Sequence, residues 1–175
     1  MATDTHAIEN AQAWLENIVS MVKRLEHVND CNCDEDVTFS ACVDAMAEGM
    51  SFDDYHDSDA ALEAIQESPL SVEVRSGWVS LTDWGYLKRD ASSIEAAEYK
   101  ILLTTGGPAL RIIGELDQYG EPETARLEYQ DWGTPWTEYV PLTDKATPTL
   151  HSETYRDVAA LDALLAYARS FYYGS

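Results

Sequence analysis

Carboxylates, thiols and imidazoles are the side chains in this chain that could do chemistry, and they crowd into its first 70 residues. The run Asp30-Cys31-Asn32-Cys33-Asp34-Glu35-Asp36 begins like a calcium loop. It departs from that pattern where the loop needs a glycine, at Glu35, and where it needs a closing glutamate, at Ala41. Asp53 to Asp59 lacks the glycine as well. His27, Cys31, Cys33 and Cys42 are zinc-ligand types, but C-x-C is tighter than the usual C-x₂₋₄-C spacing. These residues read as a polar loop with reduced thiols; no metal and no cofactor are expected.

Catalytic constellations are lacking too. The sequence has no G-x-S-x-G elbow, no H-E-x-x-H and no P-loop. Gly106-Gly107-Pro108 is too short to cradle a phosphate and has no lysine after it, so a hairpin turn accounts for it. The four histidines are scattered, and none neighbours a nucleophile that it would activate. The chain reads as a binder rather than an enzyme. A metal-dependent enzyme whose site takes no motif form is the residual alternative.

The charge carries more. There are 32 acids and 11 bases, a net of −21. Residues 1–70 hold 16 acids against Lys23 and Arg24, and between Asp30 and Glu67 twelve acids stand with no Lys or Arg. Such a field repels nucleic acid and anionic membranes and attracts basic surfaces. Asp59, Glu63 and Glu67 recur at i, i+4, i+8, and Asp44 and Glu48 repeat the interval. On helices each forms a stripe with about 6 Å of rise between carboxylates. Like charges at that spacing destabilise an isolated helix by about 0.2–0.5 kcal/mol per pair. Asp34, Glu35, Asp36, Asp44, Glu48, Asp53, Asp54, Asp57, Asp59, Glu63 and Glu67 are therefore the candidate partner-binding residues, standing in for the phosphates of a nucleic acid. A solvated face that only keeps the protein in solution, or halophilic adaptation, explains the same charge and stays open.

A second candidate is the stretch from Tyr129 to Tyr139, with Trp132, Trp136 and Tyr139 around Gly133 and Pro135. These rings suit an interaction loop, since Trp and Tyr dominate interface hot spots. The competing reading places them as a cap on the sheet beneath the closing helix.

The elements that would position these residues follow from periodicity. Ile8, Ala11, Leu15, Ile18, Val19, Val22 and Leu25 predict an amphipathic helix over 5–28, capped by Asp4 or Thr5. Phe39, Cys42, Val43 and Met46 predict a helix over 37–48, and Leu62 and Ile65 one over 58–67 capped by Asp57 or Ser58. The period then changes to two. Strands are predicted at 71–75, 99–105, 109–116 and 124–130, with a helical turn at 92–98 and little regular structure over 131–151. A closing helix over 153–173, with Val158, Leu161, Leu164, Leu165, Ala168 and Phe171 inward and Gly174 at its C-cap, ends the chain. Helices, then strands, then a helix predict one α+β domain over 1–175: an acidic helical part over 1–68, then an antiparallel β-meander of three to five strands with its closing helix over 69–175.

An odd number of cysteines, two of them in C-x-C, fits a reducing compartment, and the first residues carry neither a basic nor an apolar leader region. No apolar run approaches the roughly 20 residues that span a bilayer, so a soluble, cytoplasmic protein is expected.

The stretch Ile101-Leu-Leu-Thr-Thr-Gly-Gly-Pro-Ala-Leu-Arg-Ile-Ile-Gly-Glu-Leu116, then Ala125-Arg-Leu-Glu-Tyr-Gln-Asp-Trp-Gly-Thr-Pro-Trp136, resembles a core of small acidic proteins of bacteriophages and mobile elements. Leu164 to Gly174 looks like that group's C-terminus. The resemblance covers about residues 70–174 and supplies no catalytic residues. It implies a bacterial host and an anti-defence role of the anti-CRISPR or anti-restriction kind, in which the basic nucleic-acid groove of a defence complex is the partner. No direct nucleic acid and no membrane are expected as partners.

Overall fold

The computed structural model describes residues 3–30, 51–77, 95–141 and 157–173. The order of elements is α1 (Thr3–Asp30), α2 (Phe52–His56), α3 (Ser58–Glu67), β1 (Ser71–Ser76), β2 (Ala96–Thr104), β3 (Ala109–Glu115), β4 (Arg126–Gln130), β5 (Thr137–Glu138) and α4 (Val158–Arg169). The five strands form one antiparallel sheet in sequence order, β1-β2-β3-β4-β5, with the helices packed on one face. The fold is α+β with a meander sheet, as the change of period implies.

Alternation decides which side chains meet the helices. Ile101 pairs with Ile112 and Ile112 with Leu127, while Leu110 pairs with Tyr129, so these side chains share the covered face. From the helices, Ala7, Ala11, Leu15, Ile18 and Val22 of α1, Ile65 of α3, and Ala160, Leu164, Tyr167 and Ala168 of α4 complete the core. Burying a Leu or Ile side chain contributes about 1.5–3 kcal/mol, which outweighs the strand and helix propensities of single residues.

Several sequence expectations need correction. α1 starts at Thr3, so Asp4 and Thr5 lie within it rather than capping it. Ile8 is exposed, and the inward row begins with Ala7 instead. The region 92–98 was expected as a helical turn, but Ala96, Ala97 and Glu98 belong to β2, because Glu98 pairs with Arg75 on one side and Glu115 on the other. The span 131–151 was expected to be irregular, yet Thr137–Glu138 adds a fifth strand to β4. α4 begins only at Val158, which is exposed. Asp157 caps it, accepting from the Ala160 amide at 3.2 Å, and Ser170 takes the C-cap position expected of Gly174. The short α2 was not foreseen: Ser51 accepts from the Asp54 amide and donates to the Asp54 carboxylate at 2.6 Å, a cap hidden in a strongly polar run. The predicted helix over 37–48 lies outside the described residues, as do Cys31, Cys33 and Cys42.

Candidate interaction surfaces

α2 and α3 carry the described part of the acidic segment. α3 is held by its apolar residues: Ile65 and Ala61 are buried, Ser68 closes the C-terminus, and the Ser68 hydroxyl lies 2.6 Å from the Tyr167 hydroxyl. α2 is held from α1. Arg24 donates to the Asp54 carbonyl at 2.6 Å and to the Tyr55 carbonyl at 3.3 Å, its guanidinium 5.8 Å from the ring centroid of the buried Tyr55. His27 and His56 pack against that same ring. With their inward sides so committed, both helices present Asp53, Asp54, Asp57, Asp59, Glu63 and Glu67 to solvent.

These six carboxylates are not equivalent. Asp57 caps α3, accepting from the Ala60 amide at 3.0 Å, and Asp54 is held by Ser51. Asp53, Asp59, Glu63 and Glu67 make no hydrogen bond or ion pair among the described residues. The remaining predicted acids, Asp34, Glu35, Asp36, Asp44 and Glu48, lie outside the described residues.

The other surface is the open face of the sheet, and its charge is arranged differently. The register puts Glu73, Lys100, Ile113 and Arg126 in one row, Arg75, Glu98 and Glu115 in the next, and Leu102, Arg111, Glu128 and Glu138 in a third. Bases and acids pair across strands: Arg75 with Glu98, Lys100 with Glu73 at 2.9 Å, and Arg111 with Glu128 at 2.7 Å. Lys100 and the Ser71 hydroxyl hold the Glu73 carboxyl below its ordinary range. Among the described residues, lysines and arginines thus pair with acids of the sheet and not with Asp53, Asp59, Glu63 or Glu67.

The aromatic residues divide between surfaces. Trp132, at the tip of the β4–β5 connection, is 79% exposed, and its indole lies over the backbone of Gly107. Trp136 is half-buried on the open face, where the Arg111 guanidinium sits 4.1 Å from its ring centroid. Tyr139 turns to the covered face and packs on the core near Glu16; burial, and secondarily that carboxylate, raise its hydroxyl pKa. Of the four rings in this stretch, Tyr129 and Tyr139 pack on the covered face against the core, while Trp132 and Trp136 do not, because alternation through β5 sends Trp136 and Tyr139 to opposite faces of the sheet.

Among the described residues no cluster of three or more His, Cys, Asp or Glu is placed to hold a metal ion, and no helix is long and apolar enough to cross a membrane. In comparisons with known proteins, no family model matches the chain, and neither a curated protein nor a solved structure matches it.

Proposed function

We propose that this chain is a phage or mobile-element inhibitor that occupies the basic nucleic-acid site of a host defence complex with the acidic surface of α2 and α3. The observation that carries the reading is the state of Asp53, Asp59, Glu63 and Glu67: exposed, and without a hydrogen bond or ion pair among the described residues, while arginines and lysines balance the sheet. Carboxylates with no internal partner among the described residues meet a basic groove without first breaking such pairs. The anti-defence setting rests on the resemblance of residues 70–174 to proteins of mobile elements.

The test uses the full chain as bait in bacterial lysate, beside the variant Asp53→Asn, Asp59→Asn, Glu63→Gln, Glu67→Gln, which leaves both caps intact. A nucleic-acid-binding complex should be captured at about 50 mM salt, weaken sharply by about 200 mM as phosphate-like contacts do, be displaced by duplex DNA and be lost in the variant. Capture that the variant retains would overturn the proposal.

The exposure of Trp132 supports a second reading, a protein-interaction module that uses this ring, with acidity serving solubility. Binding would then persist at high salt and be lost in Trp132→Ala.

A further inference from the structure

β1 is an edge strand: it pairs with β2 on one side, and among the described residues no strand pairs with its other side. Such an edge offers unpaired N–H and C=O groups to another chain. Among the described residues the usual safeguards are weak. β1 contains no proline, and the register shift beside Arg75 and Ser76 skips Ala97 of β2, leaving β1 itself regular. Leu70, Val72 and Val74 are 60%, 36% and 47% exposed, a row of apolar side chains at the margin of the covered face.

We infer that β1 is a dimerisation edge, pairing antiparallel with β1 of a second copy about a two-fold axis through Val74. The sequence around Val74 is complementary to itself in that register. Glu73 stands opposite Arg75 of the second copy, Arg75 opposite its Glu73, and Val74 opposite its Val74. Opposite charges facing each other across an antiparallel pair stabilise it. The existing ladder extends the pattern, because Glu73 already pairs with Lys100 and Arg75 with Glu98. Across the joint the open face would read Lys100, Glu73, then Arg75 and Glu98 of the second copy, alternating in sign over four strands, with the mirror row beside it. A chain of net charge −21 repels its own copy over most orientations. On β1 and the facing part of β2, Arg75 and Lys100 pair with Glu98 and Glu73, so two copies that meet at β1 bring paired charges together rather than like charges. Symmetric two-fold contacts are the commonest form of self-association.

The experiment measures the mass of the full chain in solution across a concentration series at about 0.15 M salt, where the Debye length is about 8 Å. A concentration-dependent dimer is expected, and Arg75→Glu, which sets like charges across the joint, should weaken it at least tenfold. Register is tested by cross-linking in a Cys31→Ser, Cys33→Ser, Cys42→Ser background. Val74→Cys should form an intermolecular disulfide under oxidation, because antiparallel partners have Cα atoms about 4.5–5.5 Å apart, within the disulfide range of about 4.4–6.8 Å. Val72→Cys should not, since its counterpart lies four residues along the strand, about 13 Å away. A chain that stays monomeric throughout the series overturns the inference, as does a dimer in which Val74→Cys fails to cross-link or Val72→Cys cross-links equally well. If Arg75→Glu does not fold, the cysteine pair decides alone.

Discussion

Gly114 and Tyr99 face each other across β3 and β2, and the Tyr99 ring occupies the space that a side chain on Gly114 would need. A Cβ built on Gly114 would lie 1.9 Å from the Thr124 carbonyl oxygen and 2.6 Å from the Tyr99 hydroxyl. The same gap lets Tyr99 donate to that carbonyl at 2.6 Å, tying the β3–β4 connection to the sheet. Gly114→Ala must therefore displace backbone, which does not yield as a flexible side chain would. Overpacking of this kind costs about 1–3 kcal/mol and occasionally more. Chemical denaturation should place Gly114→Ala at the upper end, about 3 kcal/mol below the wild type. Tyr99→Phe, which removes only the hydrogen bond, should lose about 1 kcal/mol.

Tyr99 belongs to a group of buried phenols that sets how the fold meets alkali. Its ring centroid is 5.0 Å from that of Tyr173, and Tyr173 donates to the Ala168 carbonyl at 2.8 Å. Burial raises the pKa of Tyr99, Tyr167 and Tyr173 above the ordinary value of 10.0. The unfolded chain releases these protons near pH 10 and the folded chain holds them, so the unfolded state binds fewer protons above that pH. The stability from keeping the phenols neutral is fully present below pH 10 and is lost as pH climbs toward the folded values. Three such groups give a slope of up to about 4 kcal/mol per pH unit. Absorbance at 295 nm should show these phenolates appearing together with the loss of secondary structure. Ionisation of all tyrosines before unfolding would contradict the burial argument.

Much of this architecture was legible in the residues, for reasons that also explain what was not. Ile65 and Asp57 define α3 as predicted, because a cap and an apolar residue within one short segment leave few alternatives. The meander followed from Gly106-Gly107-Pro108, whose glycines take φ values of +98° and +102°, and from alternation on both sides of it. β5 was missed because two residues carry no period; its pairing is decided by β4, through Glu128 and Tyr129. Charge alone points to the exposed carboxylates of α2 and α3, but what separates Asp57, a cap, from Glu63, which has no partner among the described residues, is the local three-dimensional packing. The open face of the sheet was the largest omission. Its ion pairs join residues 17 to 27 positions apart, so only the register reveals them. The sole local signal was the alternation of Val72 and Val74 with Glu73 and Arg75.

Arg111 shows how tightly that face is knit. Its guanidinium binds Glu128 through Nε at 2.8 Å and lies 4.1 Å from the Trp136 ring centroid, with both charged side chains partly sheltered from water. A cation over an indole contributes about 0.5–1 kcal/mol when exposed and about 2 when desolvated. A double-mutant cycle with Arg111→Ala and Trp136→Phe, followed by denaturant midpoint, should return a coupling of about 1 kcal/mol. Additive effects would mean that Trp136 is held by other contacts.

Glu67 tests whether the acidic surface is tolerated against the interest of stability. It stands at the C-terminal end of α3, where no basic residue occupies the last turn. Its carboxylate thus meets the negative end of the helix dipole as well as Glu63 one turn earlier. The dipole term is typically about 0.3–1 kcal/mol, and the like-charge pair adds about 0.2–0.5 kcal/mol. Glu67→Gln removes both without altering shape, so the variant should be more stable than the wild type by about 0.5–1 kcal/mol at low salt, with the gain shrinking as salt rises. Asp59→Asn should gain less, because Asp59 sits in the first turn, where the dipole favours a negative charge. Thermal unfolding at two ionic strengths separates the two positions. A loss of stability in Glu67→Gln would show that this carboxylate supports the fold, and would remove it from the set offered to a partner.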